Sequence, residues 1–205
     1  MDVVAEILDF WFGTRQLASG IELRDVWFRS TPEFDAEIER RFLGVYEAAA
    51  RGEYDQFKET PEGALALIIM LDQFPRNLFR GDARSFATDP QARDVARFAV
   101  DNGFDAGFDA WPRVFMYLPF EHSESFADQE RGVALFEAIP NAEERTRNSA
   151  REHRDAIARF GRFPHRNAVL GRANTPEEEE YLKTPPKWGK TAAEIEALES
   201  AEAKN

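Results

Sequence analysis

The stretch TPEFDAEIERRFLGVYEAAARG, residues 31–52, decides the fold class. The Thr31 hydroxyl can accept a first-turn N–H, and Pro32 sits where a missing N–H costs nothing. Glu33 lies near the positive end of the helix dipole. Beyond that start, Phe34, Ile38, Phe42, Val45 and Ala49 recur at steps of four, four, three and four. This is one apolar face of a 3.6-residue helix, and Gly52 marks its stop.

The same grammar repeats outward along the chain. Thr60-Pro61-Glu62 and Thr175-Pro176-Glu177 are further copies of the start signal, and Asp89-Pro90 reads the same way. Gly13, Gly81 and Gly103 follow other apolar-periodic stretches. Ala150, His153, Ile157 and Phe160 form another inner stripe, and Thr191 with Glu194 spells a capping box. Alternation of period two is nowhere sustained. Helices are predicted near 2–12, 33–51, 61–74, 76–80, 90–102, 111–118, 120–138, 143–163 and 176–182, with a short last helix after Thr191. The fold class is all-α, and helices joined by short loops suggest antiparallel helix hairpins.

The 205 residues suit one domain, taken as 1–182, with 183–205 as a peripheral arm. The arm holds four of the five lysines, and Trp188 is the residue that would pack it down. The longest apolar run, Ala64 to Leu71, falls short of the ~20 residues of a membrane span. Asp2, Glu6 and Asp9 leave no basic region for a signal peptide. With no cysteine there is no disulfide framework. A cytoplasmic location is expected. The net charge of −12 argues against nucleic acid and against an anionic membrane.

That charge is unevenly spread. Residues 1–70 carry fourteen acids against seven bases, whereas residues 142–172 carry eight arginines against four acids. The cationic island either pairs with the acidic N-terminal half or serves an anionic ligand, for which the guanidinium fork is suited.

Four segments put polar groups where the apolar pattern expects core. They are Asp72 to Gly81, Tyr117 to Glu124, His153 on its apolar stripe, and Phe160 to Asn167, and all three histidines fall within them. If a helix runs on past Pro119, Glu121, Glu124 and Asp128 share one stripe. Phe74-Pro75-Arg76-Asn77 is echoed by Phe163-Pro164-His165-Arg166-Asn167, one insertion apart. Buried charges must pair with one another, with water or with a ligand.

The strings LDQFPRNLFRGDARSFATDP (71–90), YLPFEHSE (117–124) and FGRFPHRNAVLGR (160–172) closely resemble the bacterial domain-of-unknown-function family 924. ILDFWFG (7–13) and TPEEEEYL (175–182) match its ends, so the resemblance spans roughly 5–183. It implies a tetratricopeptide-like superhelix and no particular activity. The family's characteristic positions map onto Asp72, Gln73, Arg76, Asn77, Arg80, Glu121, His122, Glu124, His165, Arg166 and Asn167.

Three functions fit. The first is binding of a small anionic ligand or peptide segment by Asp72, Arg76, Asn77, Arg80, Glu121, His122, His153, Arg162, His165, Arg166 and Asn167. Trp11, Trp27, Phe120 and Phe163 are the candidate walls. The second is a hydrolase-type enzyme in which Glu121 or Glu124 orients His122 or His153 for acid–base chemistry. No Gly-x-Ser-x-Gly, P-loop or dinucleotide fingerprint accompanies it. The third is a scaffold whose polar segments are a buried ion-pair network. No metal site is expected, since no His-Glu-x-x-His spacing is present, and no cofactor is implied. No heptad run demands a homo-oligomer, though exposed helix faces leave room for one.

Overall fold

A computed structural model describes residues 2–202. It contains α-helices and short 3₁₀ turns, with no strand among the described residues. The helices are α1 (Val3–Phe12), α2 (Pro32–Ala50), α3 (Pro61–Ile68), α4 (Phe74–Leu78), α5 (Asp89–Asp101) and α6 (Ala110–Glu121). They continue with α7 (Phe126–Glu137), α8 (Glu144–Phe160), α9 (Pro176–Tyr181) and α10 (Ala192–Glu202). Residues 203–205 of the arm lie outside the described residues.

The threonine starts work as read. Thr31 accepts from Phe34 N at 3.3 Å, Thr60 from Gly63 N at 3.2 Å, and Thr175 from Glu178 N at 3.2 Å. Glu178 returns the bond to Thr175 N, closing a capping box. Thr191 and Glu194 close another at the head of α10. Asp89 departs from its prediction. Thr88 occupies the N-cap and Asp89 is the first helical residue, its carboxylate turned to arginines.

Helix α3 is the hub. Every residue from Gly63 to Ile68 is buried, and α3 packs against α1, α5 and α6. Phe42 stacks on Phe74 with centroids 4.9 Å apart, and Trp11 meets Phe115 edge-on at 5.4 Å. Trp11 and Phe120 are therefore core, and only Trp27 of the predicted walls lines a cavity. Phe163 is buried in a small separate cluster with Ala156 and Ile157, onto which Trp188 packs.

The predicted breaks between 74 and 76 and between 118 and 120 fall at Pro75 and Pro119, and neither proline ends its helix. The helix does not stop at Pro75. Residues Ile69–Gln73 widen into a π-helical turn and lead straight into α4. Pro75 has no N–H to give the Leu71 carbonyl; the Thr88 hydroxyl donates to that oxygen instead, at 2.6 Å. Arg76 donates to the Asp72 carbonyl at 2.6 Å, and Asn77 to the Gln73 carbonyl at 3.0 Å. Helix α6 likewise runs through Pro119, but it ends at Glu121. Gln129 of α7 donates its side-chain amide to the Glu121 and Ser123 carbonyls, at 2.6 and 2.7 Å. The predicted Glu121–Glu124–Asp128 stripe does not form, because a bend separates α6 from α7.

Candidate functional site

A cavity of about 680 Å³ opens where α4, α6 and α8 meet the chain before α2 and the C-terminal arm. Its floor comes from the irregular helix segments. The π turn, α4 and the turn that follows it contribute Gln73, Arg76, Asn77 and Arg80. The end of α6 contributes Glu121 and His122, and α8 contributes Arg145, Ser149 and His153. Trp27, Phe28, Val114, Leu118 and Phe136 supply apolar wall. The arm closes one side with Lys187, Trp188, Gly189, Lys190, Ile195 and Glu199. It is tied down by Ala192 N, which donates to the Ser30 carbonyl at 3.0 Å, and by Arg80, which donates to the Gly189 carbonyl at 2.7 Å.

The π turn aims Asp72 at His122. The carboxylate is fully buried and lies 2.8 and 3.0 Å from His122 Nδ1. Gln73 Nε2 donates to it at 2.5 Å, and Arg76 stands 3.2 Å away. Burial raises the Asp72 carboxyl, but Arg76 and His122 outweigh that and hold it well below the usual range. An ionised carboxylate only accepts, so Nδ1 carries the proton and His122 Nε2 is left basic. Burial, with the Arg76 charge, lowers His122 and keeps the ring neutral.

Glu121 behaves differently. Its Oε1 accepts from the Ser149 hydroxyl at 2.9 Å and lies 3.1 Å from His153 Nδ1. Its Oε2 is buried with no partner in the protein. Burial pushes this carboxyl up to about 8, with Asp72 and Glu152 adding to the rise and the Ser149 bond opposing it. Glu121 is thus a neutral acid at pH 7. His153 Nδ1 lies 2.9 Å from the Ser149 carbonyl, so it must be the donor there. The ring stacks on Trp188 at 3.6 Å, and burial holds it neutral, well below its usual value.

The two echoed Phe-Pro segments converge. Arg76 grips Asp89 with two bonds, at 2.8 and 3.1 Å, and Arg166 reaches the same carboxylate at 3.4 Å. Arg166 lies between the Phe86 and Phe163 rings, 4.5 Å from each centroid. Burial lowers its guanidinium to about 10. Arg166 and Asp72 therefore support the floor from behind.

Of the predicted site residues, Arg76, Asn77, Arg80, Glu121, His122 and His153 line the cavity. The others do not. Arg162 is held by Glu178 at 2.6 and 2.7 Å. Glu124 is gripped by Arg172 at 2.8 and 3.0 Å, and it also accepts from Phe163 N. Asn167 pairs with Asn174 and Arg172. His165 sits against Trp188 and Phe163, and burial lowers it to about 3. The acid–histidine pairing also differs from one expected form: Asp72, not Glu121 or Glu124, holds His122, whereas Glu121 does meet His153. Arg145 belongs to the arginine island offered for an anionic ligand, whereas Arg29, Ser30, Ser149 and the arm residues carry no site signal in the sequence beyond the lysines around Trp188.

The arginine island is neutralised locally. Arg147 and Arg151 pair with Glu137 and Glu144, Arg154 with Asp155, and Arg159 with Glu177. The expected pairing with the acidic N-terminal half is not the arrangement found. Around the cavity the cations are paired as well: Arg29 and Lys187 with Glu199, Arg76 with Asp72 and Asp89, Arg80 with Asp35, and Arg145 with Glu143. Six cationic side chains (Arg29, Arg76, Arg80, Arg145, Lys187 and Lys190) face two acidic ones, Glu121 and Glu199. No group of His, Cys, Asp and Glu suited to a metal ion occurs among the described residues. No helix among them is long and apolar enough to cross a membrane.

Fold and site together define an all-helical protein with a cationic cavity floored by a carboxylate–histidine pair. The chain belongs to the family described as bacterial protein of unknown function (DUF924), whose model matches residues 7–186. It is similar to a solved structure from Agrobacterium tumefaciens titled as the protein of unknown function ATU0120. The two share 44% sequence identity over 88% of this chain and 96% of that one, with a TM-score of 0.79. No curated protein matches.

Proposed function

We propose that the cavity binds a small anionic molecule with an apolar body, bearing a carboxylate or a phosphate. The observation that carries this reading is the charge balance. A protein of net charge −12 lines one concavity with six cations and two acids, one of them neutral at pH 7; carboxylates behind the wall pair with Arg76, Arg80 and Arg145, and Glu199 serves both Arg29 and Lys187. Low-dielectric walls concentrate such a field on an entering anion. The volume of about 680 Å³ suits a metabolite-sized ligand. Arg145, Arg29 and Lys187 are the more exposed cations and form the mouth, whereas Arg76 and Arg80 lie deeper. Trp188 and Trp27 offer flat apolar surface to the ligand body.

The arm is part of this site in our reading, as a flap added to the helical domain 1–182. A tetratricopeptide-like hairpin stack is supported in the second half of the chain, where α5 packs on α6, α6 on α7 and α7 on α8 in sequence order.

Thermal denaturation with benzoate, phenyl phosphate and neutral benzyl alcohol tests the binding reading. The two anions should raise the melting temperature of the wild type, and the alcohol should not. Arg145→Glu with Lys190→Glu should abolish the rise without lowering the melting temperature of the free protein by more than a few degrees. Equal responses to anions and alcohol would refute it.

A further inference from the structure

The fully buried Asp72 carboxylate takes an N–H from each of two cavity-lining neighbours. His122 meets it through Nδ1, at 2.8 and 3.0 Å, and Gln73 through Nε2, at 2.5 Å. A carboxylate only accepts, so it sorts both side chains. Each turns its donor to Asp72 and keeps its acceptor, His122 Nε2 or Gln73 Oε1, on the other side. His153 is sorted the same way, because its Nδ1 faces the Ser149 carbonyl at 2.9 Å and a carbonyl also only accepts. Its ring lies 6.4 Å from that of His122, centroid to centroid, on the same cavity wall. Glu121 Oε2 is sealed off by burial. His122 Nε2, Gln73 Oε1 and His153 Nε2 are not sealed, and no protein group among the described residues hydrogen-bonds any of them.

A floor of bare acceptors does not suit the charged end of an anion. A carboxylate or phosphate oxygen placed against them would set lone pair against lone pair. The charged end therefore belongs with the cations of the mouth, and the floor takes a hydrogen-bond donor. The Arg76 charge, which reaches His122, disfavours an ammonium at that place and leaves a neutral hydroxyl as the fitting donor.

We propose that the ligands of this cavity are hydroxyl-bearing acids, with the carboxylate or phosphate at the mouth and a hydroxyl donating to His122 Nε2 at the floor. This selectivity rests on the anion-binding reading and gives it a class of ligand. The apolar body between the two ends lies along Trp27 and Trp188. Burial, with the Arg76 charge, keeps His122 unprotonated, and burial does the same for His153, so both lone pairs are present at pH 7. Asp72 is a positioning residue: it fixes which ring nitrogen of His122 carries the proton.

The test is isothermal titration calorimetry at pH 7 with matched acids. The pairs are benzoate with 4-hydroxybenzoate and 3-phenylpropionate with 3-(4-hydroxyphenyl)propionate, and 3-(4-methoxyphenyl)propionate is the control that can only accept. In at least one pair the hydroxy acid should bind about fivefold or more tighter than its parent, the scale of one net hydrogen bond, and the methoxy acid should gain nothing. An asparagine amide nitrogen falls near the place of Nδ1 and can still donate to Asp72, with no acceptor at the place of Nε2. His122→Asn should therefore remove the hydroxyl advantage and leave the parent acid's affinity within about twofold. Nitrogen-15 NMR of the wild type reads the same contact without a substitution: an unprotonated histidine nitrogen should shift with the hydroxy acid and stay in place with its parent. Equal binding of parent and hydroxy acids would overturn hydroxyl recognition and leave anion binding standing. Absence of binding by every acid would overturn both. A hydroxyl advantage that persists in His122→Asn, or a hydroxy acid that moves no histidine nitrogen, would overturn the assignment to His122.

Discussion

Replacing Glu121 by glutamine should stabilise the protein at alkaline pH, although it alters a side chain only 4% exposed. Burial raises the folded carboxyl from 4.5 to about 8. A carboxyl raised in the folded state stabilises it fully below about pH 4.5, where both states hold the proton. As pH rises toward 8 the unfolded state ionises alone, and that stability is lost at about 1.4 kcal/mol per pH unit. By pH 8 the accumulated loss is about 4 kcal/mol, a large part of the 5–15 kcal/mol of a typical domain. Glutamine cannot ionise and keeps an oxygen for the Ser149 hydroxyl. Its stability relative to the wild type should therefore climb from near zero at pH 4.5 to about 4 kcal/mol at pH 8.

The difference between the two proteins is the quantity to read. His122, His153 and His165 are lowered from 6.5, mainly by burial. They stay neutral in the folded state while the unfolded chain takes up protons below 6.5, so their contribution rises with pH and masks the fall from Glu121. In the difference they cancel. Urea unfolding followed by tryptophan fluorescence at pH 5, 6, 7 and 8, with equal m-values, supplies it. A difference that does not change between pH 5 and pH 8 would refute a neutral buried Glu121.

Asp89→Ala should cost about 3–5 kcal/mol, because it leaves the buried Arg76 and Arg166 guanidinium groups without their shared carboxylate; urea unfolding at pH 7 checks it. Thr88→Val should cost about 1–3 kcal/mol by the same assay, through the Leu71 carbonyl that Pro75 cannot serve. Gly63→Ala should cost about 3 kcal/mol or lower the soluble yield, since a methyl group there would lie 2.2 Å from the Phe57 carbonyl oxygen.

The sequence was most legible where structure is local. Thr31, Thr60, Thr175 and Thr191 cap helices because a cap needs only a hydroxyl and an N–H three residues on. The apolar face from Phe34 to Ala49 was readable for the same reason. The continuation through Pro75 was not, because Thr88, seventeen residues beyond Leu71, meets the Leu71 carbonyl that the proline abandons. Asp72, Arg76, His122 and His153 were picked out because charged and imidazole groups broke apolar patterns, and they do gather at one place. Arg162, His165 and Glu124 carried the same signal. They do not line the cavity: Glu178 and Arg172 hold Arg162 and Glu124, and His165 packs on Trp188, partners from elements with no readable relation to them. The wall between Lys187 and Glu199 escaped notice because it belongs to an arm whose docking depends on Ser30 and Arg80.

The central claim, that the cavity takes an anion with an apolar body, is tested most directly by anomalous diffraction from a crystal soaked in 4-bromobenzoate. The account predicts a bromine peak against Trp27, Trp188 or Phe136, with carboxylate density among Arg80, Arg145 and Lys190. A bromine peak outside the cavity, with the cavity holding only water, would contradict it.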